Sequence, residues 1–218
     1  MQIHFVQGIR LMLSICNSVL DKVLLSRYRR ILIYGEAGSG KTNIMLNILL
    51  CSSKSDSNFY YISTEGSAFL NRVVELGITS NNILFSVALD QNHLIQLIID
   101  IITMYRHPQA IFIDSINHFY RIEAVEQQSL RMFLNMLTLL DLVSYGNIYV
   151  ITSAQIKADE QYGEVMAGYE YLSIWADAIV AIEKLSNRTR ILRFVKPSTD
   201  LEFRFLITEN GIRWLTRI

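Results

Sequence analysis

The sequence predicts an α/β protein built on a mainly parallel sheet flanked by helices, with antiparallel hairpins at the C-terminal end. Three features predict it. Short β-branched and aromatic runs alternate with stretches of helical periodicity over the first two thirds of the chain. One of these runs passes through a Gly-rich turn straight into a helical pattern. The last third instead carries strand-like runs separated only by short turns.

Strands are expected at 30–34, 59–63, 83–87, 110–114 and 148–153. Leu130, Phe133, Leu134, Leu137 and Leu140 recur at steps of three and four, so 123–144 reads as one amphipathic helix laid on the sheet, and 92–105 reads the same way. Runs at 178–185, 189–195 and 203–208 are expected to form the antiparallel extension. No linker or repeat interrupts the chain and only 34 residues precede the Gly-rich turn, so one domain is expected over 1–218. Within it, 1–28 is a lead-in, 29–155 a core, and 156–218 a loop and C-terminal β extension.

Composition excludes several classes. Apolar residues are 51% of the chain and charged residues 18%, enough apolar surface to offset the conformational entropy of folding. Basic and acidic residues balance at 20 each, so no global positive field draws the protein to nucleic acid or anionic membrane. The apolar stretch 11–20 is short of the ~20 residues that span a bilayer, and no cleavage pattern follows it, so neither export nor membrane is expected and the location is read as cytoplasmic. Cys16 and Cys51 lie in no metal-binding spacing and are expected to be buried thiols in a reducing cytosol. His4, His93 and His107 likewise have no partner at ligand spacing.

Residues 31–42 read ILIYGEAGSGKT, a G-x-x-x-x-G-K-T loop between an apolar strand and a helix starting near Asn43. Backbone N–H groups of Gly35, Glu36, Ala37, Gly38, Ser39, Gly40, Lys41, Thr42 and Asn43 are expected to ring the phosphates of ATP, aided by the helix N-terminus. Lys41 is expected to reach the β and γ phosphates, and Thr42 to ligate Mg²⁺. A further metal contact is expected from an acid ending a buried strand, and AIFIDS at 110–115 offers Asp114.

With these two motifs in place, the chain resembles the RecA/RadA recombinase family over about Val19 to Trp214, and within it the short archaeal RadA paralogues of the RadB kind. The resemblance implies a RecA-type P-loop NTPase fold, a Mg²⁺-dependent ATPase and a role in DNA recombination and repair. YYISTEGSAFLNRV at 60–73 is similar to the family segment that carries the catalytic carboxylate, here Glu65, and an arginine that stacks on adenine, here Arg72. From the residues alone, Glu65 serves equally as a helix-starting acid and Arg72 as a solvated helix arginine. IYVITSAQI at 148–156 resembles the strand ending in the glutamine that senses the γ-phosphate, here Gln155. TRILRFVKPSTDLEFRFLITENGIRWL at 189–215 resembles the C-terminal hairpins, placing Lys196 and Pro197 where a neighbouring subunit's nucleotide is capped.

Family members that form DNA filaments carry an N-terminal helical domain and linker for which this sequence leaves no room, so a monomer or an ATP-dependent oligomer is expected. The second DNA-contacting loop, 157–170, holds one lysine against Asp159, Glu160, Glu164 and Glu170, which opposes phosphate binding. The first, NHFYRIEA at 117–124, offers His118, Phe119, Tyr120 and Arg121 to stack bases and pair with phosphate, or equally to pack beneath the surface. Lys184, Arg188, Arg190 and Arg193 form a second basic cluster with only Glu183 opposing it. The expected partners are a RadA-type recombinase and single-stranded DNA. The rival readings are an ATP-gated protein-binding module with negligible turnover and a signalling ATPase of the KaiC kind.

Overall fold

Alternation along each strand decides which helices cover which face of the sheet. The computed structural model describes residues 13–53, 57–104, 108–123, 127–159 and 163–215. Its strands are β1 (Arg30–Gly35), β2 (Asn58–Ser63), β3 (Ile83–Val87), β4 (Pro108–Asp114), β5 (Tyr149–Gln155), β6 (Lys157–Asp159), β7 (Gly163–Val165), β8 (Ala178–Lys184), β9 (Thr189–Lys196), β10 (Glu202–Thr208) and β11 (Gly211–Trp214). The helices are α1 (Ser18–Leu20), α2 (Lys41–Ser52), α3 (Phe69–Glu75), α4 (Gln91–Met104), α5 (His118–Glu123), α6 (Gln127–Tyr145) and α7 (Tyr169–Trp175).

Nine strands form one sheet in the order β11-β10-β9-β8-β1-β5-β4-β2-β3. Ile31, Ile33, Tyr61 and Phe112 point to the face covered by α2 and α3, while Leu32, Tyr60, Ile111 and Ile113 point to the face covered by α4 and α6. The nearly continuous apolar runs in β1, β2 and β4 reflect this double coverage.

The antiparallel extension differs from expectation in one strand at each end. β8 runs parallel to β1, so the first of the three C-terminal runs belongs to the parallel sheet, and the reversal begins at β9. β11, which was not expected, closes the edge against β10. The helix expected over 123–144 begins at Gln127, after the separate short helix α5. β6 and β7 form a small hairpin inside the stretch expected to be a loop.

The phosphate-loop helix α2 is buried on every side, from Ile44 through Leu49. A helix apolar all round needs cover on its outer surface, and the N-terminal segment supplies it with Leu13 and Ile15. Asn47 ties the layers together: its Nδ2 donates to Ile15 O (3.0 Å) and its Oδ1 accepts from Ile212 N in β11 (3.0 Å). Cys16 and Cys51 are joined in a disulfide with Cα atoms 5.8 Å apart, which corrects the expectation of two buried free thiols. Cys16 is exposed, and the pairing follows from the N-terminal segment lying along α2, a tertiary contact that cysteine spacing does not encode. Among the described residues no helix is long and apolar enough to cross a membrane.

Candidate nucleotide site

β1 ends at Gly35, and the chain then turns over the C-terminal edge of the sheet into α2. Gly40 caps the helix at φ 110°, a left-handed conformation that side chains with a Cβ rarely adopt, so the dihedral favours glycine. Lys41 is 6% exposed, and its Nζ donates to the carbonyls of Gly35 (2.8 Å) and Glu36 (2.9 Å), curling the loop around its own ammonium group. Burial lowers its pKa, against the pull of the Asp114 and Glu65 carboxylates.

A cavity of about 150 Å³ is lined by Gly38, Gly40, Lys41, Thr42, Asn43, Glu65, Asp114 and Gln155, so eight residues singled out from the sequence converge on one space. Topology explains the convergence. β5 lies between β1 and β4, and β4 beside β2, so the C-terminal ends of four adjacent parallel strands present the loop, Gln155, Asp114 and Glu65 in a row. Gly35, Glu36 and Ser39 face a second hollow of about 250 Å³ on the β8 side of the loop, and Ala37 O accepts from Lys184 Nζ at 3.1 Å.

The Asp114 carboxylate accepts from three hydroxyls. Thr42 Oγ1 and Tyr61 OH reach Oδ2 at 2.6 Å each, and Ser153 Oγ reaches Oδ1. Thr42 and Asp114 therefore present adjacent oxygens, the donor type and small protein share that Mg²⁺ takes when phosphates and waters complete its shell. These residues fit the metal. Tyr61 and Ser153 were missed from the sequence, because their roles follow from strand register: Tyr61 pairs with Phe112 and Ser63 with Asp114 across β2 and β4. Burial, followed by the Asp114 charge, pushes the Tyr61 phenol well above its usual pKa, so it remains a donor.

Glu65 follows β2 and is held by three bonds. Gln155 Nε2 lies 2.8 Å from both carboxylate oxygens, and Ser115 Oγ donates to Oε1 at 2.8 Å. Gln155 Oε1 accepts in turn from Arg121 Nη1 at 2.7 Å. Ser115, Arg121 and Asn117 thus join the site, and of these the sequence offered only Arg121, as a phosphate-pairing residue of the first DNA-contacting loop.

Arg72 lies beside the cavity on α3, its Nε donating to Asn43 Oδ1 at 2.9 Å and its guanidinium to the carbonyls of Thr208 and Glu209 in the β10–β11 turn. Lys196 and Pro197 lie elsewhere. Lys196 pairs with Ile179 at the start of β8, whereas the phosphate loop follows the opposite end of the neighbouring β1. Its Nζ donates to Ser173 O (2.9 Å) and Ala176 O (2.7 Å) at the C-terminus of α7. In its own chain the pair is remote from the phosphate loop.

Two expected DNA surfaces look different in three dimensions. Residues 118–123 form α5, with Phe119 buried and Tyr120 stacked on Phe133 at 4.6 Å, so these aromatic rings are packed inward. In the C-terminal cluster, Arg193 pairs with Glu183 and also with Glu202 from β10, and Arg190 Nη1 donates to Ser186 O. A second acid reaches the cluster because β9 and β10 set Glu202 opposite Arg193. In the 157–170 segment, Glu160 lies outside the described residues, as do His4 and His107. Among the described residues no group of three or more His, Cys, Asp or Glu is arranged to hold a metal ion.

Comparison with known proteins agrees with this geometry. The family model described as "ATPase family associated with various cellular activities (AAA)" matches residues 31–161. The DNA repair and recombination protein RadB of Methanosphaera stadtmanae is 32% identical over 217 residues, covering 90% of this chain and 93% of the relative. The RadB of Methanococcus maripaludis strain C5 is 27% identical over 203 residues, covering 85% and 91%. A crystal structure of the RadB recombinase superposes with a TM-score of 0.74 at 23% identity, covering 92% of this chain and 98% of that one.

Proposed function

We propose, because the chain belongs to the RadB family of RadA paralogues with a RecA-type ATPase core, that it binds and hydrolyses ATP with Mg²⁺ in DNA repair and homologous recombination. The observation that carries this reading is the shared cavity of phosphate loop, Asp114, Glu65 and Gln155. The relatives named for DNA repair and recombination support the biological role. The single chain would act in the cytoplasm as one ATPase domain, monomeric or assembling with ATP, and would modulate a RadA-type recombinase, single-stranded DNA or both.

In this mechanism the loop amides and the Lys41 ammonium bind the triphosphate, exchanging the Gly35 and Glu36 carbonyls for phosphate oxygens. Thr42 and Asp114 would hold Mg²⁺, whose charge offsets that developing on the phosphates. Glu65 orients the water in line with the γ-phosphorus and accepts its proton; the water oxygen bonds to that phosphorus as its bond to the bridging oxygen breaks, leaving ADP and phosphate. Gln155, at the end of β5, turns toward the γ-phosphate and reports its presence to the segment that follows. Arg72 would stack on adenine, and Lys196 with Pro197 would cap the nucleotide of a second copy.

The test is ATP turnover of the wild type against Lys41→Ala and Glu65→Gln, with and without single-stranded DNA, beside a pull-down with a RadA-type recombinase. Turnover lost in both variants supports the mechanism. Equal rates in all three proteins overturn it, and recombinase binding gated by ATP without turnover favours the protein-binding module. DNA affinity that falls steeply with salt marks direct engagement of the phosphate backbone.

A further inference from the structure

We propose that Arg121 is a positioning residue that restrains hydrolysis by holding Gln155 against Glu65. An arginine only donates, and a carboxamide has one accepting and one donating end. The bond from Arg121 Nη1 to Gln155 Oε1 at 2.7 Å therefore decides which way the amide faces, and its NH₂ group is committed to Glu65, 2.8 Å from each carboxylate oxygen.

The rest of Gln155 is equally restrained. Asn117 clamps its backbone from both sides, with Nδ2 donating to Gln155 O at 3.1 Å and Oδ1 accepting from Gln155 N at 3.2 Å. Any turn of Gln155 toward a γ-phosphate must then occur in the side chain alone, against the Arg121 bond. Arg121 itself stands on a fixed base, since α5 is seated by buried Phe119 and by Tyr120 stacked on Phe133. The result is a relay, Arg121 to Gln155 to Glu65, that orients the carboxylate toward an amide rather than toward a water. Once ATP is bound, Glu65 can turn onto the attacking water only by breaking the amide–carboxylate contact, and Arg121 raises the cost of that step.

This inference rests on the hydrolytic reading above and predicts a rate change opposite to that expected of a damaged site. Arg121→Ala should raise kcat for ATP by about three- to tenfold with KM nearly unchanged, because the restraint opposes a step after binding, and tenfold corresponds to about 1.4 kcal/mol. Arg121→Lys keeps a cationic donor and should stay near the wild-type rate, whereas Arg121→Gln, a second variant should alanine not fold, should rise as alanine does. A packing role alone would instead lower kcat and the thermal midpoint together and would not be rescued by lysine. An unchanged or lower kcat in Arg121→Ala and Arg121→Gln, at a wild-type thermal midpoint, overturns the restraint. If wild type and Lys41→Ala turn over ATP at the same rate, the hydrolytic reading fails instead, and the two failures are distinguishable.

Discussion

Replacing Tyr61 by Phe removes one of the three hydroxyls that donate to the Asp114 carboxylate. Tyr61 is fully buried, and its ring stacks on Phe69 at 4.9 Å, packing that phenylalanine preserves. What is lost is the 2.6 Å bond to Asp114 Oδ2. A hydrogen bond to a charged acceptor contributes about 1.5–3 kcal/mol. Asp114 keeps Thr42 and Ser153 as donors, so it is not orphaned and the lower part of that range applies, about 2 kcal/mol. For a chain of this length that is a fall of roughly 4–8 °C in thermal midpoint. The assay is thermal unfolding by circular dichroism, with Ser153→Ala and the double variant alongside. Because both hydroxyls serve one carboxylate, the double variant should lose more than the sum of the singles. A midpoint within 1 °C of wild type for Tyr61→Phe, or strict additivity, would refute the shared-acceptor reasoning.

Two further outcomes follow from other parts of the fold. The Cys16–Cys51 disulfide joins residues 35 apart in sequence, and the chain-entropy relation assigns such a loop about 4 kcal/mol, so Cys51→Ser or reduction should lower the thermal midpoint markedly. Intact mass that does not rise by about two hydrogens on reduction would contradict the pairing. Partial burial pushes the Asp177 carboxyl up, but the hydrogen bonds and charge of Arg30, with the Arg29 amide, outweigh it and hold its pKa below the usual aspartate value. A depressed carboxyl stabilises the fold above its unfolded pKa and loses that contribution as pH falls toward the folded value. The urea midpoint of Asp177→Asn should therefore fall short of wild type at pH 7 and approach it at pH 3; an equal gap at both would contradict the assignment.

Local signals were legible where chemistry is local. The G-x-x-x-x-G-K-T loop lies between β1 and α2, and β3 spans 83–87 as expected, because apolar runs and turn glycines act within a few residues. The site's inner partners were not legible. Tyr61 and Ser153 reach Asp114 only through the register of three strands, and Arg121 reaches Gln155 only because α5 forms where a loop was expected. Strand direction failed similarly: the pattern of 178–184 suits either orientation, and pairing with β1 decides for parallel. The disulfide escaped notice because the cover for α2 comes from the far N-terminal segment.

Every role proposed for the site depends on the loop from Gly35 to Thr42 serving as a triphosphate cradle completed by Lys41. Titration calorimetry of ATP with Mg²⁺ into the wild type and Lys41→Ala tests this most directly. One binding event per chain, weakened at least tenfold by the substitution, is the predicted result; absence of heat in both proteins, or equal affinity, would contradict it.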